Sequence, residues 1–110
     1  MKLIKSVVRA NRVDEVREAL EKLDIPGMTM TEVRGHGRQK GHTAIYRGKE
    51  YNVTLLPKVQ IEVVVDDKVV DQVIPAIINA ARTGEIGDGR IFVVPVGHSY
   101  NIRTGEQDAT

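Results

Sequence analysis

At 110 residues and 12.2 kDa the chain is long enough to bury one core and too short for two domains. Its 16 Lys and Arg against 15 Asp and Glu leave a formal charge of +1, which excludes the global basic field of a nucleic-acid binder and confines any electrostatic site to a local patch. The absence of Cys removes disulfides, thiol catalysis and thiolate metal ligation together, and a reducing, cytoplasmic setting is expected.

The first segment, Lys2 to Arg9, is short, rich in Val and Ile and roughly alternating, which predicts a strand. Lys5 and Arg9 interrupt its apolar residues, so it is neither a signal peptide nor a membrane span, and no direct membrane insertion is expected. From Arg12 to Leu23, Val13, Val16, Leu20 and Leu23 recur at helical spacing with charged residues between them. Asp24-Ile25-Pro26-Gly27 should stop that helix, because Pro cannot continue it and Gly tolerates the turn. Met28 to Gly35 alternates again as a second strand. A long polar segment, Gly37 to Lys58, precedes a third strand in which Val59, Ile61, Val63 and Val65 face one way and Lys58, Gln60, Glu62 and Val64 the other. Asp66 or Asp67 is placed to cap a second helix, whose stripe is Val70, Val73, Ile74, Ile77, Ile78 and Ala81. Pro75 inside that stripe predicts a kink or a shifted register. Arg90 to Val96 is the fourth strand, and the residues from 101 to 110 form a polar tail that need not order without a partner.

The order βαββαβ predicts an α+β, ferredoxin-like sandwich with two helices on one face of a single sheet. The other face mixes Val64 with Lys58 and Glu62. Covering it calls for self-association.

Two segments could carry chemistry. Arg82 to Arg90 (RTGEIGDGR) links helix to strand with glycines at 84, 87 and 89, so backbone amides can converge on an anion beside Arg90. The order of elements is wrong for a Walker or Rossmann loop. The long segment carries Arg38, Lys40, Arg47, Lys49, Tyr46 and Tyr51, and structureless connections of that length are usually functional. His36, His42 and His98 have no ligand spacing, and neither Ser6 nor Ser99 sits in a nucleophile turn, so neither a metal centre nor a catalytic one is expected.

The stretch EVRGHGRQKGHTAIYRGKEYNVTLLPKVQIEVVV, together with ARTGEIGDGRIFVVPV and IRTGE, resembles the PII nitrogen-regulatory signal-transduction proteins over nearly the whole chain. The resemblance implies a single domain, 1–110, of ferredoxin-like fold that assembles as a homotrimer. It further implies a flexible T-loop at about 37–57, a phosphate loop at about 82–90 and a non-enzymatic role. It implies ATP or ADP between subunits, with Val7, Thr29, Gly35, Gly37 and Val64 on the adenosine side. Arg38, Gly87, Asp88, Gly89, Arg90 and Arg103 would gather around the phosphates. It assigns 2-oxoglutarate to Gln39, Lys40, Gly41, Lys58 and Gly87, with Gln39 beside Mg²⁺. Tyr51 matches a uridylylation position. Arg47 at the arm's tip would meet a partner, either an ammonium transporter or a nitrogen-metabolism enzyme or regulator.

The sequence also departs from the family pattern. Asn101 stands where Arg is common, Arg90 where Lys is common, and RANR (Arg9 to Arg12) replaces Lys-Pro-Phe-Lys. Lys49 replaces a Ser that is phosphorylated in some members, which excludes that modification. With one fixed charge fewer, the alternative is a divergent sensor that reads adenine nucleotides with another small carboxylate or bicarbonate. An RNA-binding sheet would need aromatic residues on its strands, which offer only Phe92. A phosphoryl-transfer enzyme would need a nucleophile or base that the motifs do not supply.

Overall fold

The computed structural model describes residues 1–25, 27–35, 43–46, 49–52 and 56–108. Strands β1 (Lys2–Arg9), β2 (Thr29–Gly35), β5 (Leu56–Val65) and β6 (Gly89–Pro95) form one antiparallel sheet in the order β2-β5-β1-β6. Helices α1 (Val13–Lys22) and α2 (Val70–Ala81), each preceded by a short 3-10 turn, cross between the strands, completing the expected ferredoxin-like α+β arrangement. A second, two-stranded pairing joins β3 (Thr43–Tyr46) to β4 (Lys49–Asn52), with Thr43 opposite Asn52 and Tyr46 opposite Lys49. The sequence predicts no strands in the long polar segment, because apolar alternation there is too weak to announce them.

Alternation decides which side of the sheet is buried. Ile4 and Val8 of β1 and Val59, Ile61, Val63 and Val65 of β5 are buried and pack with Val16 and Leu20 of α1 and Val73, Ile77 and Ala81 of α2. The register aligns these residues, with Ile4 opposite Val63 and Val8 opposite Val59, so one continuous apolar layer faces both helices. Val13, Val70 and Ile74 are half-buried at its margin.

Three local expectations are corrected. Neither Asp66 nor Asp67 makes a side-chain cap to the second helix; Asp67 instead pairs with the amino group of Met1 at 2.9 Å and with Lys2 at 3.4 Å. Pro75 neither ends nor shifts the second helix, which runs unbroken from Val70 to Ala81 with Val73, Ile77 and Ala81 of the predicted stripe buried and Val70, Ile74 and Ile78 half-buried. Both Pro75 and Asp71, one turn earlier, lie on the exposed side, where water can take the carbonyl that Pro leaves unpaired. The polar tail is also ordered through Asp108. Tyr100 bridges to Gln107, Asn101 N–H donates to Glu106 O at 2.8 Å, and Asn101 Oδ1 accepts from Thr104 N–H at 3.2 Å.

Helix α1 ends before the Pro-Gly pair. Asp24 takes a left-handed backbone (φ 56), Asp24 N–H donates to Glu21 O at 3.0 Å and Ile25 N–H to Leu20 O at 3.3 Å. This is a Schellman closure with Asp where Gly is usual, and Ile25 falls back into the core beside it. Asp24→Gly is expected to stabilise the protein by about 0.5 kcal/mol, the relief of the left-handed backbone exceeding the added unfolded-state entropy. A rise in the urea midpoint at unchanged slope would register it.

Candidate anion-binding site

The face of the sheet opposite the helices is open. Strand pairing arranges it in rows: Lys58 beside Arg9, then Thr31, Gln60, Val7 and Arg90, then Thr29, Glu62, Lys5 and Phe92, and last Val64, Leu3 and Val94. Phe92, Val94 and Val64 are exposed there, and Gln60 Nε2 donates to Glu62 Oε1 at 3.0 Å. On the helix side, a cavity of about 510 Å³ opens between α2 and the edge strand β6, floored by Ile77, Ile78, Ala81 and Ile91.

At the Arg9 end of this face lies the glycine-rich connection from α2 to β6. Its organiser is Asp88. The carboxylate accepts the N–H groups of Thr83 and Gly84 at 2.8 and 2.9 Å, the hydroxyl of Thr83, and Arg9 Nε at 2.9 Å. Burial alone would raise its pKa, but the bonds from Thr83, Arg9 and Gly84 together hold it well below the usual carboxylate range. The turn is therefore closed around a fixed negative charge.

Two glycines are needed for the shape. Gly87 has φ +99, and Gly89 has φ +114 and passes so close to β1 that an added Cβ would lie 1.7 Å from the Val7 carbonyl oxygen. Only a residue with no side chain lets β6 start at that point.

Lys58 is the most unusual group in the site, being only 5% exposed. Its Nζ donates to the Gly87 carbonyl, and burial, followed by the charge of Arg9, pushes its pKa below the ordinary lysine value, with Asp88 opposing. A desolvated ammonium against a glycine carbonyl gains by meeting an anion. Arg90, directly opposite Val7 in the register, and Arg103, in the closed terminal turn, are both exposed.

The structure thus brings together Lys58, Gly87, Asp88, Gly89 and Arg90 from the sequence prediction, with Val7 one row away. It does not bring Val64 to them within one chain. Val64 is six residues along β5 from Lys58, about 20 Å at strand spacing. Thr29 lies on β2, opposite Glu62, and Gly35 ends that strand opposite Leu56. Gly37, Arg38, Gln39, Lys40, Gly41 and Arg47 lie outside the described residues; Tyr51 belongs to β4, where it opposes Ala44. His98 contacts Gln107 at 2.8 Å, and no group of His, Asp and Glu with metal-binding geometry occurs among the described residues.

Sequence reasoning misses Arg9 and Thr83 as parts of this site. Arg9 stands out in the sequence only as a departure from the family pattern, since nothing local tells a strand-end arginine from a solvated one when its partner is 79 positions away. Thr83 leaves a readable signal, because a hydroxyl residue opening a glycine-rich turn that closes on Asp is a common side-chain-to-backbone pattern.

Comparison with known proteins agrees with the ferredoxin-like α+β fold. The family model for the nitrogen regulatory protein P-II matches residues 1–106. The chain is 57% identical to the nitrogen regulatory protein P-II of Haemophilus influenzae, covering 98% of this chain and 96% of the relative. It is 56% identical to nitrogen regulatory protein P-II 1 of Escherichia coli, with the same coverage. Identity to the Rhizobium etli protein is 52%, over 99% of this chain and 97% of that relative. The match over residues 1–106, with relatives that cover nearly the whole ferredoxin-like chain, places it in the nitrogen regulatory protein P-II family of signal-transduction proteins.

Proposed function

We propose that the protein is a non-enzymatic sensor that reads ATP or ADP together with 2-oxoglutarate and acts on nitrogen-metabolism targets through the segment 37–57. The observation that carries this reading is the buried Lys58 held against Gly87 beneath a loop already closed by Asp88. Phosphate oxygens suit the loop's amides, and a small dicarboxylate suits a desolvated ammonium that can exchange a carbonyl for a carboxylate. Mg²⁺ bound with ATP would neutralise part of the charge that two such anions bring together. With no acidic cluster among the described residues, its ligands would come from the phosphates, 2-oxoglutarate and Gln39.

The distance from Lys58 to Val64 supports assembly. A nucleotide that uses both ends of the open face does so most simply between copies, with Thr29 and Val64 from one subunit and Gly87 to Arg90 with Arg103 from another. A homotrimer would also cover Phe92 and Val94. Light scattering should give about three times the 12.2 kDa chain mass, and a monodisperse monomer would remove the intersubunit site. Arg47 is the expected contact with an ammonium transporter or a nitrogen-metabolism enzyme, and Tyr51 is the expected point of modification.

Calorimetry with ATP and ADP, each with and without Mg²⁺ and 2-oxoglutarate, tests the reading. Both nucleotides should bind, and 2-oxoglutarate should bind only with Mg-ATP present; no heat from either nucleotide would refute it. Asn101 favours a second reading, in which bicarbonate or another small carboxylate replaces 2-oxoglutarate. Its side chain braces the terminal turn and brings no charge to the phosphates. Heat with bicarbonate and none with 2-oxoglutarate would decide for that reading.

A further inference from the structure

Arg9 and Lys58 are partners across the pairing of β1 with β5, and both reach the same loop. Arg9 Nη2 donates to the Ile86 carbonyl at 2.9 Å, and Lys58 Nζ donates to the carbonyl of Gly87, the next residue. Two consecutive carbonyls are thereby drawn down toward the sheet. In a planar trans peptide the C=O of one residue and the N–H of the next point in opposite directions. The N–H groups of Gly87 and Asp88 are therefore turned away from the two cations, and among the described residues neither donates a hydrogen bond.

We propose that Arg9 is a positioning residue for the anion site: by gripping the Ile86 carbonyl and the Asp88 carboxylate together, it presents the Gly87 and Asp88 amides to a phosphate oxygen before any ligand arrives. The proposal rests on the nucleotide reading above and extends it to a residue outside the expected ligand set. The two cations part ways once a ligand enters. Lys58 has one loop contact and can leave it for a ligand carboxylate, whereas Arg9 is anchored twice, by Nε and by Nη2, and stays. The planar fork matters, because a lysine at the same position has a single nitrogen for two acceptors that lie in different directions. Preorganisation of this kind lowers the ordering cost of binding without adding any contact to the ligand.

The test is a double-variant cycle read by calorimetry with ADP, on Arg9→Gln, Asp88→Asn and the pair. Arg9→Gln should weaken ADP about tenfold, equal to about 1.4 kcal/mol, and Arg9→Lys should recover only part of that. The pair should cost less than the sum of its members, because Arg9 acts partly through Asp88. ADP affinity unchanged in Arg9→Gln, full recovery by Arg9→Lys, or strict additivity would overturn the proposal. Amide resonances of Gly87 and Asp88 titrated with inorganic phosphate separate this outcome from failure of the nucleotide reading. If wild-type protein binds no ADP, but phosphate moves its resonances and leaves those of Arg9→Gln in place, the positioning role stands and the nucleotide falls. Resonances that move equally in both proteins, or in neither, overturn it.

Discussion

Replacing Gly89 with Ala is expected to cost about 2 to 4 kcal/mol and, under the proposed function, to abolish nucleotide binding in the same variant. The added Cβ would fall 1.7 Å from the Val7 carbonyl oxygen, a backbone atom that cannot swing aside, and the residue would keep a backbone angle, φ +114, that side chains avoid. Relief requires moving the start of β6 away from β1. That movement breaks the pairing of Gly89 with Val8 and carries Arg90 off its place opposite Val7. Glycines 84 and 105 also have positive φ but face open space, so Ala there should strain the backbone without disturbing the sheet. Denaturant midpoints for Gly89→Ala and Gly84→Ala measured together would check the difference, and equal losses in the two would contradict the close approach.

The second large effect belongs to Asp88. Removing its carboxylate in Asp88→Ala leaves Arg9 Nε and the amides of Thr83 and Gly84 without their acceptor, and a loss of about 2 kcal/mol is expected. The pH dependence comes from the sign of the pKa shift. The folded carboxyl titrates below its unfolded value of about 3.9, so its contribution is fully present above about pH 4 and is lost as pH falls toward the folded value. Asp88→Asn should flatten the stability profile below about pH 4 and leave a smaller dependence from Asp67, which the Met1 amino group chiefly holds in its ionised form. Denaturation midpoints of the two proteins measured from pH 6 down to pH 3 would test this, and parallel profiles would show that Asp88 is not the acid-sensitive group.

Much of this architecture is legible in the sequence, for a physical reason. Ile4, Val8, Val59, Ile61, Val63 and Val65 alternate because a sheet with one covered face demands it, and Val16, Leu20, Val73 and Ile77 repeat at helical spacing because each helix buries one stripe. The glycine cluster and Lys58 are likewise marked by composition and by resemblance. Features whose partners lie far off, or whose residue types are ambiguous, escape such reading. Asp24 closes α1 where Gly would have announced itself, and Asp67 serves an ion pair although it stands where a cap should be. The pairing of Thr43–Tyr46 with Lys49–Asn52 leaves too little apolar alternation to be read from the sequence. Asn101, a missing charge in the sequence, is also the acceptor that shapes its own turn.

The clamp that joins Arg9 to Asp88 spans 79 positions of the sequence, and this sets an order of events for a chain emerging from a ribosome. Strands β1, β2 and β5 and both helices hold nearly all of the buried core, so they can come together before β6 docks on the free edge of β1. Yet in that intermediate Arg9 and Lys58 stand at the sheet's end as two bare cations with nothing between them to steady. The loop is therefore completed after the core, when β6 docks and brings Asp88 and Gly89 to the two cations. Under the proposed function, a copy whose last strand had not docked would keep its core and lack its anion site, so bound ligand would mark a completely folded molecule.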